Sequence, residues 1–344
     1  MALAAGFDRD EALDLLYFCA AIEGGLGAPI PDAVPSGWAS LFLSPEIGPF
    51  QNRWQLWRKG ASGPCAIAIR GTIETVGSIL DDLVSVLVAA KGTLKVGTLQ
   101  TSYQFSDDAE AGVHLGFALG ALILLQDPQN GILAKLSALG LGAGTDVYVT
   151  GHSQGAAIAT LIRSHLHYAG GTGFSYKTYV FAQPRPGNDH YAEDFELKFS
   201  YPGLAFRVTN TLDWVTQVPL TLQLVSDVDK PNPLSVLAPS LLPLTVLGPV
   251  IDGIRQAVEA KARLHLQSSV IAVVRSQAPA AAPAPTDLMA TAFDVPIMPS
   301  LNFVSAGHDI ALRGIPCTGD DCKDAFFEHH AKTYYALLQA LPVV

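Results

Sequence analysis

The sequence predicts an α/β fold with a mainly parallel sheet, and three features of its patterning support this class. Short apolar segments with the length of buried strands alternate with longer helical segments. Hydrophobic residues make up 49% of the chain and charged residues only 15%, so much of the chain must be buried. Residues 147–150 form a predicted buried strand, which leads through a sharp turn into a helix rich in alanine.

The first elements follow from the spacing of the apolar residues. Residues 10–23 have the period of an amphipathic helix, with Asp8 or Asp10 as its N-cap. Residues 24–49 are rich in turn-forming residues and predict a loop with short ordered pieces at best. Residues 65–69 are apolar almost throughout, as expected for a central strand that is buried on both faces.

The same alternation continues toward the end of the chain. Further strands are predicted at 53–58, 177–182 and 205–210, and helices at 117–126, 158–168 and 328–341. Residues 221–294 differ, because they begin with proline-broken apolar sequence and end in a low-complexity linker. We therefore expect one α/β domain formed by residues 1–220 and 300–344. An apolar insertion at 221–299 interrupts it and either caps the site or packs on the domain.

Charge and cysteine content narrow the functional classes. The formal net charge of −10 argues against a nucleic-acid partner, because the phosphates would be repelled. Repeated prolines at 231–251 exclude a membrane-spanning helix there. The start of the chain lacks the basic region of a secretory signal, which leaves the compartment open. Cys317 and Cys322 flank a polar loop and can form a disulfide, whereas a metal site lacks a second ligand pair nearby.

The strongest motif is the nucleophile-elbow pattern Gly151-x-Ser153-x-Gly155. Glycine is needed on both sides of the serine because the backbone there is strained and the helix and strand approach closely. The turn places the Ser153 hydroxyl at the start of a helix, where free N–H groups favour a developing oxyanion. The alternative is a glycine–serine turn without chemistry, and the strand and helix predicted around the motif argue against it.

A serine nucleophile needs a base to take its proton and an acid to orient that base. In folds with a nucleophile elbow, the chain order is Ser, then Asp or Glu, then His. Asp213 follows a predicted strand and His330 precedes the terminal helix, so we predict Ser153, Asp213 and His330 as the catalytic set. The alternatives are a capping role for Asp213, a surface position for His330, and His329 as the base in its place.

A tetrahedral intermediate also needs two backbone donors. Gln154, which follows the nucleophile, supplies one by its position. The N–H of Thr72, at the end of a central strand, supplies the other, with its hydroxyl in reserve. The alternative for this segment is an ordinary glycine turn.

Five sequence blocks occur in an order that resembles the class 3 (fungal-type) triacylglycerol lipase family. The blocks are Ile69-Arg70-Gly71-Thr72, Val113-His114-Leu115-Gly116-Phe117, residues 149–155, residues 181–188, and residues 207–210 continuing through Asp213 to Pro219. The resemblance spans residues 10–219 and resumes at 308–341. Five collinear blocks are much more specific than the elbow alone.

The resemblance implies an α/β-hydrolase fold, with a mostly parallel central sheet and an apolar lid or cap insertion. It implies carboxylester hydrolysis without a metal or an organic cofactor. It also implies Ser153 as nucleophile, Asp213 as acid, a histidine of the tail as base, oxyanion donors at Thr72 and Gln154, and a lid after Thr72.

The choice of base and the departures from the family rest on the same resemblance. In the family, a short spacer and an aromatic residue follow the base, and His330 with Tyr334 fits this better than His329. The chain departs from the family in its long insertion at 221–294 and in Gln154, where Leu or Met is more usual. The insertion concerns the shape of the substrate. The change at Gln154 matters little, because the oxyanion donor at this position is the backbone N–H.

The sequence therefore predicts a lipase or esterase that cleaves acyl esters, acylglycerols in particular, through an acyl-enzyme. The expected partners are an acyl ester or lipid substrate and a lipid surface in transient contact, and the oligomeric state stays open. One alternative is a non-catalytic lipid-binding protein on a hydrolase fold, and another is an acyltransferase or amidase with the same catalytic set. The intact Ser, Asp and His argue against the first, because a degenerate member would usually have lost one of them.

Overall fold

The computed structural model describes most of the chain outside the predicted lid and insertion. The described residues are 3–48, 50–71, 86–96, 99–168, 173–223, 227–228, 253, 256–257, 260, 297–298 and 300–342.

The described strands form one large sheet and two small ones. In chain order they are β1 (Trp38–Leu43), β2 (Arg53–Lys59), β3 (Cys65–Arg70), β4 (Leu87–Ala89), β5 (Lys91–Val96), β6 (Leu99–Gln104), β7 (Gly112–His114), β8 (Asp146–His152), β9 (Ser175–Phe181), β10 (Ala205–Asn210) and β11 (His308–Leu312). The large sheet has the order β1-β2-β3-β8-β9-β10-β11. It is parallel from β3 to β11, and β1 and β2 extend it as antiparallel strands.

The helices connect these strands and cover the large sheet. The described α-helices are α1 (Arg9–Glu23), α2 (Leu115–Gln126), α3 (Ile132–Ala138), α4 (Gln154–Tyr168), α5 (Asp189–Phe195) and α6 (Ala331–Gln339). A π-helix at Glu196–Ser200 continues α5, and short 3-10 turns lie at Val215–Gln217, Gly319–Lys323 and Phe327–His329. None of the helices in the described ranges combines the length and apolar character that a membrane crossing requires.

Two apolar layers, one on each face of the large sheet, form the core. Because side chains alternate along a strand, Ile67 and Ile69 of β3 enter the layer that contains α2 and α4. Ala66 and Ala68 of the same strand enter the layer that contains α1 and α6. All six residues of β3 are therefore buried, as the apolar run predicts for a central strand.

The parallel strands all end at one edge of the large sheet, which we call the carboxyl edge. Ser153 follows β8 and Asp213 lies a short loop beyond β10, so both lie at this edge. Gly71 follows β3 at the same edge. The topology thus brings together residues that are far apart in the sequence, as is general for sites on open α/β sheets.

The architecture confirms the predicted class, an α/β-hydrolase fold with a mostly parallel central sheet. The prediction of a loop at 24–49 is wrong in part, because this segment contains β1. The sequence analysis also did not predict β11. Both are edge strands with mostly exposed or half-exposed residues, so they lack the apolar run that marks β3. The lid expected after Thr72 and most of the insertion expected at 221–299 lie outside the described residues, so the domain division stays a prediction.

A buried polar cluster fixes α1 to the sheet. The Glu11 carboxylate accepts hydrogen bonds from Tyr148 (2.6 Å), Lys177 (2.7 Å) and Tyr179 (2.7 Å), which lie on β8 and β9. Lys177 is only 1% exposed, so its ammonium depends on this carboxylate. Burial raises the pKa of both phenols above the usual range, which keeps them protonated as donors.

Removal of the Glu11 carboxylate should therefore destabilise the fold. We expect Glu11→Ala to lower the free energy of unfolding by about 3 kcal/mol, because it leaves a buried ammonium without its partner. Urea denaturation followed by fluorescence measures this change. Glu193→Ala, at an exposed acid on α5, is the matched control and should stay within about 0.5 kcal/mol of the parent. Equal losses in both variants would contradict a structural role for the cluster.

Candidate active site

Ser153 lies in the strained turn that the elbow motif predicts. Its φ is +56°, in the left-handed region that residues with a side chain seldom adopt. Two backbone hydrogen bonds hold the turn: the Ser153 N–H donates to the Phe181 carbonyl, and the Ala156 N–H donates to the Ser153 carbonyl. Strain at such a position costs about 1–3 kcal/mol and persists only where the surroundings fix it.

The two elbow glycines are required by close backbone contact. A methyl group on Gly151 would lie 2.2 Å from the carbonyl oxygen of Gly155. One on Gly155 would lie 2.3 Å from the carbonyl oxygen of Ile69, on the neighbouring strand β3. Neither distance is compatible with a side chain, so the first turn of α4 packs directly on the ends of β3 and β8.

A chain of short hydrogen bonds joins Ser153, His329 and Asp213. The Ser153 Oγ lies 2.7 Å from Nε2 of His329, and Nδ1 of His329 lies 2.8 Å from Oδ2 of Asp213. All three side chains are buried, with Asp213 only 1% exposed. Since the carboxylate can only accept, Nδ1 donates to it, and Nε2 of the neutral ring accepts from the serine hydroxyl.

The Asp213 carboxylate has two further donors that fix its position. Val215 N–H donates to Oδ1 (2.9 Å), and the Tyr334 hydroxyl donates to Oδ2 (2.7 Å). Burial, and then the charge of Asp213, raise the pKa of Tyr334 well above its usual range, so this phenol remains a donor. Tyr334 also accepts from the N–H of Asn210, at the end of β10.

His330, the histidine predicted as base, does not reach the serine. Its side chain is 51% exposed and Nε2 lies 2.7 Å from Asp324 on the surface. That hydrogen bond holds the pKa of the Asp324 carboxyl below its usual value. His330 is the N-cap residue of α6 with an extended backbone, so its ring turns away from the ring of the preceding residue. The neighbour that the sequence left as the alternative, His329, occupies the position between Ser153 and Asp213.

His152, the residue before the nucleophile, holds the backbone of His329. Its Nε2 lies 2.8 Å from the His329 carbonyl oxygen, which can only accept, so this nitrogen donates. Its Nδ1 lies 3.3 Å from the Glu23 carboxylate at the end of α1. The elbow therefore positions the imidazole directly as well as carrying the hydroxyl.

Of the two predicted oxyanion donors, the structure describes Gln154 and not Thr72. Gln154 is the first residue of α4, where backbone N–H groups point out of the helix end. A methyl group on Gly71 would lie 2.4 Å from Oε1 of Gln154, so the end of β3 contacts the elbow. Thr72, the next residue, lies outside the described residues.

A cleft of about 450 Å³ opens at Ser153 and His329. Besides these two, its described lining includes the charged side chains of Glu23, Arg70 and Lys332. Its remaining lining residues include small ones, glycines and Ala331, and none in the described set is a large apolar side chain. Within the described ranges, no group of His, Cys, Asp and Glu has the arrangement of a metal site.

Sequence reasoning missed several residues that surround the three. From the sequence, Tyr334 was considered only as the aromatic residue that follows the predicted base. No sequence pattern indicated its hydrogen bond to Asp213. Asn210 binds both the backbone and the side chain of Glu328, which fixes the loop before His329. Both contacts join β10 to the tail, so only the folded chain shows them.

Comparison with known proteins finds relatives of the central part of the chain. Residues 66–223 match the family model for lipase (class 3). The secreted mono- and diacylglycerol lipase 1 of Fusarium solani is 31% identical over 140 residues, which are 39% of each chain. The secreted mono- and diacylglycerol lipase LIP4 of Malassezia restricta is 39% identical over 72 residues, which are 21% of this chain and 23% of that protein. The matches thus span less than half the length of either relative.

Solved structures of fungal lipases also resemble the chain. Lipase II of Rhizopus niveus is 18% identical with a TM-score of 0.46, over 62% of this chain and 75% of that one. The Rhizomucor miehei lipase–propeptide complex is 19% identical with a TM-score of 0.45, over 63% and 66% of the two chains. The matched segment 66–223 carries the elbow and Asp213, and it is this segment that is similar to the class 3 lipases.

Proposed function

We propose that the chain is a serine carboxylester hydrolase that cleaves acylglycerols through an acyl-enzyme. One observation carries the proposal: an unbroken run of hydrogen bonds from Ser153 Oγ through the His329 ring to Asp213, beside a cleft. The family match and the lipase relatives support the same reaction class. Ser153 is the proposed nucleophile, His329 the base and Asp213 the acid.

In the acylation step, Ser153 Oγ attacks the ester carbonyl carbon while His329 Nε2 takes the hydroxyl proton. The tail imidazolium is stabilised by Asp213, which accepts from its Nδ1 in both protonation states. The negative oxygen of the tetrahedral intermediate is placed at the start of α4, where the Gln154 N–H is the proposed donor. Thr72 is the second proposed donor on the basis of the sequence.

Collapse of the intermediate breaks the bond to the alcohol, which leaves with the proton returned by His329 Nε2. Water then enters and gives a proton to the same nitrogen, and its oxygen attacks the acyl carbonyl. Breakdown of the second intermediate releases the carboxylic acid and restores the Ser153 hydroxyl. Each proton that His329 accepts is returned within the cycle, so these reaction steps need no metal or organic cofactor.

The charged side chains in the cleft favour substrates whose alcohol part is hydrophilic. The described lining of the cleft offers Arg70, Lys332 and Glu23 instead of large apolar side chains. Glycerol with free hydroxyl groups can form hydrogen bonds with such groups, whereas a third acyl chain gains little there. Relatives named as mono- and diacylglycerol lipases support the same substrate class, so we propose partial acylglycerols as substrates.

We further propose that the protein works outside the cell. Cys317 and Cys322 form a disulfide, and such bonds persist mainly in oxidising compartments. The relatives are described as secreted.

Replacement of the nucleophile tests the reaction directly. Ser153→Ala should lower kcat for a p-nitrophenyl acyl ester by about a millionfold, because the covalent step is lost. The unfolding curve should match that of the parent. Ser175→Ala, at an exposed serine that begins β9, is the control and should keep parental turnover. Hydrolysis by Ser153→Ala at the parental rate would end the proposal.

The two adjacent tail histidines form a matched pair. His329→Gln should lose about a millionfold in kcat, as removal of the base does in comparable enzymes. His330→Gln should stay within about twofold, because its ring lies on the surface. Steady-state kinetics on the same ester separates them. If His330→Gln were the inactive variant, the geometry described here would not be that of the working enzyme.

The Tyr334 hydroxyl should contribute through Asp213. Tyr334→Phe removes one hydrogen bond to a buried carboxylate, so we expect kcat to fall about tenfold with little change in KM. Tyr335→Phe, in the apolar layer shared with α1, is the control on the same helix and should keep the parental kcat. A selective rise in KM for Tyr334→Phe would instead indicate a contact with substrate.

A further inference from the structure

The His152 ring lies between two oxygen atoms that both act as acceptors. Its Nε2 lies 2.8 Å from the carbonyl oxygen of His329, and its Nδ1 lies 3.3 Å from Oε1 of Glu23. A carbonyl oxygen can only accept, so the proton of a neutral ring must lie on Nε2. Nδ1 then presents a lone pair to Glu23, and an ionised carboxylate has no hydrogen to donate to it.

A neutral ring therefore leaves the contact with Glu23 without a hydrogen. The two lone pairs repel each other, so the contact would open. One additional proton removes the conflict, because a ring protonated on both nitrogens donates to the carbonyl and to the carboxylate at once. The contact then becomes a charge-assisted hydrogen bond, which is stronger than a neutral one.

The two side chains differ in their access to water, and this difference decides where each charge lies. The Glu23 side chain is 26% exposed and lines the cleft, so its carboxylate stays hydrated. The His152 side chain is only 6% exposed, and burial alone would favour the neutral ring. The carboxylate charge at 3.3 Å opposes this effect, because an opposite charge at hydrogen-bond distance favours the charged form.

Three titratable groups that pack near the pair are uncharged in the resting protein. The rings of His329 and Tyr334 lie 4.9 and 6.0 Å from the ring of His152. Burial above all raises the pKa of Tyr334 well above its usual range, so this phenol stays neutral. Burial likewise raises the pKa of the Cys19 thiol, which lies one turn before Glu23 on α1.

The charged groups of the neighbouring elements are engaged with partners of their own. These pairs are Asp213 with His329 and Tyr334, Arg70 with Glu46, and His330 with Asp324. Lys332 also lines the cleft, so it shares the water that reaches Glu23. Screening by that water makes its effect on His152 small next to that of a carboxylate 3.3 Å from the ring.

We infer that His152 is a positioning residue that acts as an imidazolium, with one proton on each ring nitrogen, and that it joins the Glu23 carboxylate to the backbone of His329. The protonation state follows from the contacts, whereas its effect on the reaction rests on the proposed function. Because the Glu23 charge balances that of His152, the pair opposes the positive charge that forms on His329 far less than a lone cation would.

The bridge from Glu23 to the His329 carbonyl depends on pH with a defined sign. It is complete while the His152 ring holds both protons, and it is lost as the pH rises and Nδ1 gives up its proton. Glu23 then faces a lone pair, and the ring no longer links α1 to the backbone of the proposed base. We therefore expect kcat to fall on the alkaline side at the pH where the ring becomes neutral.

Nitrogen NMR of the full chain, with histidine isotopically labelled at its ring nitrogens, measures the protonation state directly. We expect both His152 nitrogens to carry a proton at neutral pH, and only one in Glu23→Gln, because a glutamine amide can donate to a bare Nδ1. The sequence contains 9 histidines, so the His152 signals are assigned by their absence from His152→Gln. Glu193→Gln, at an exposed acid on α5, is the control and should leave these signals unchanged.

Kinetics on a p-nitrophenyl ester then measures the effect on the proposed base, because this substrate has no glycerol hydroxyl that Glu23 could bind. Glu23→Leu removes the acceptor, and we expect kcat to fall about tenfold with little change in KM. Glu23→Gln should recover most of this loss, since it keeps a hydrogen bond to the ring. Its pH profile should lack the alkaline fall of the parent, whose midpoint should coincide with the NMR titration of His152.

Each readout can contradict the inference. A single proton on the His152 ring of the parent at neutral pH would refute the imidazolium. Equal kcat in Glu23→Leu and the parent, with matching unfolding curves, would refute the positioning role. A parent that lacks esterase activity but holds two protons on His152 would refute the proposed hydrolase and leave the ion pair in place.

Discussion

The direct packing of the first turn of α4 on the ends of β3 and β8 is the constraint on which the rest of the site depends. Backbone atoms of Gly151, Gly155 and Ile69 come so close that no side chain fits between them. This contact holds Ser153 in a left-handed backbone conformation and buries nearly all of the residue. The strain of the turn is offset by the packing of two whole elements, so Ser153 cannot relax without separating helix from sheet.

The proposed base, His329, is held in place by several elements at once. His152 binds the carbonyl of His329, and Glu23 at the end of α1 lies against the other nitrogen of His152. On the other side, Asn210 at the end of β10 binds Glu328, the residue before His329. The imidazole therefore depends on the docking of α1, on the elbow and on the sheet, in addition to its bonds with Ser153 and Asp213. Such support is what keeps reacting groups within catalytic distance.

The sequence predicted the elements that are buried on both sides and missed those whose pairing depends on a neighbour. β3 can be recognised in the sequence by its apolar run, and the elbow by its two required glycines. The edge strands β1 and β11 carry no such pattern. Ser153 and Asp213 were placed by motif and chain order. The choice between His329 and His330 could not be made in this way, because two adjacent identical residues differ only in tertiary contacts. In the structure, the hydrogen bond from His152 to the His329 carbonyl and the N-cap position of His330 on α6 accompany the placement of His329 beside Ser153.

The long separation in sequence between the proposed nucleophile and the proposed base has a consequence for how the site is assembled. Ser153 and His329 lie 176 positions apart, whereas the strand, turn and helix of the elbow are contiguous in the chain. In the proposed mechanism the serine proton passes to His329, so the hydroxyl is activated only once the tail has docked. The proposed esterase activity would therefore report on the docking of the tail as well as on the formation of the elbow.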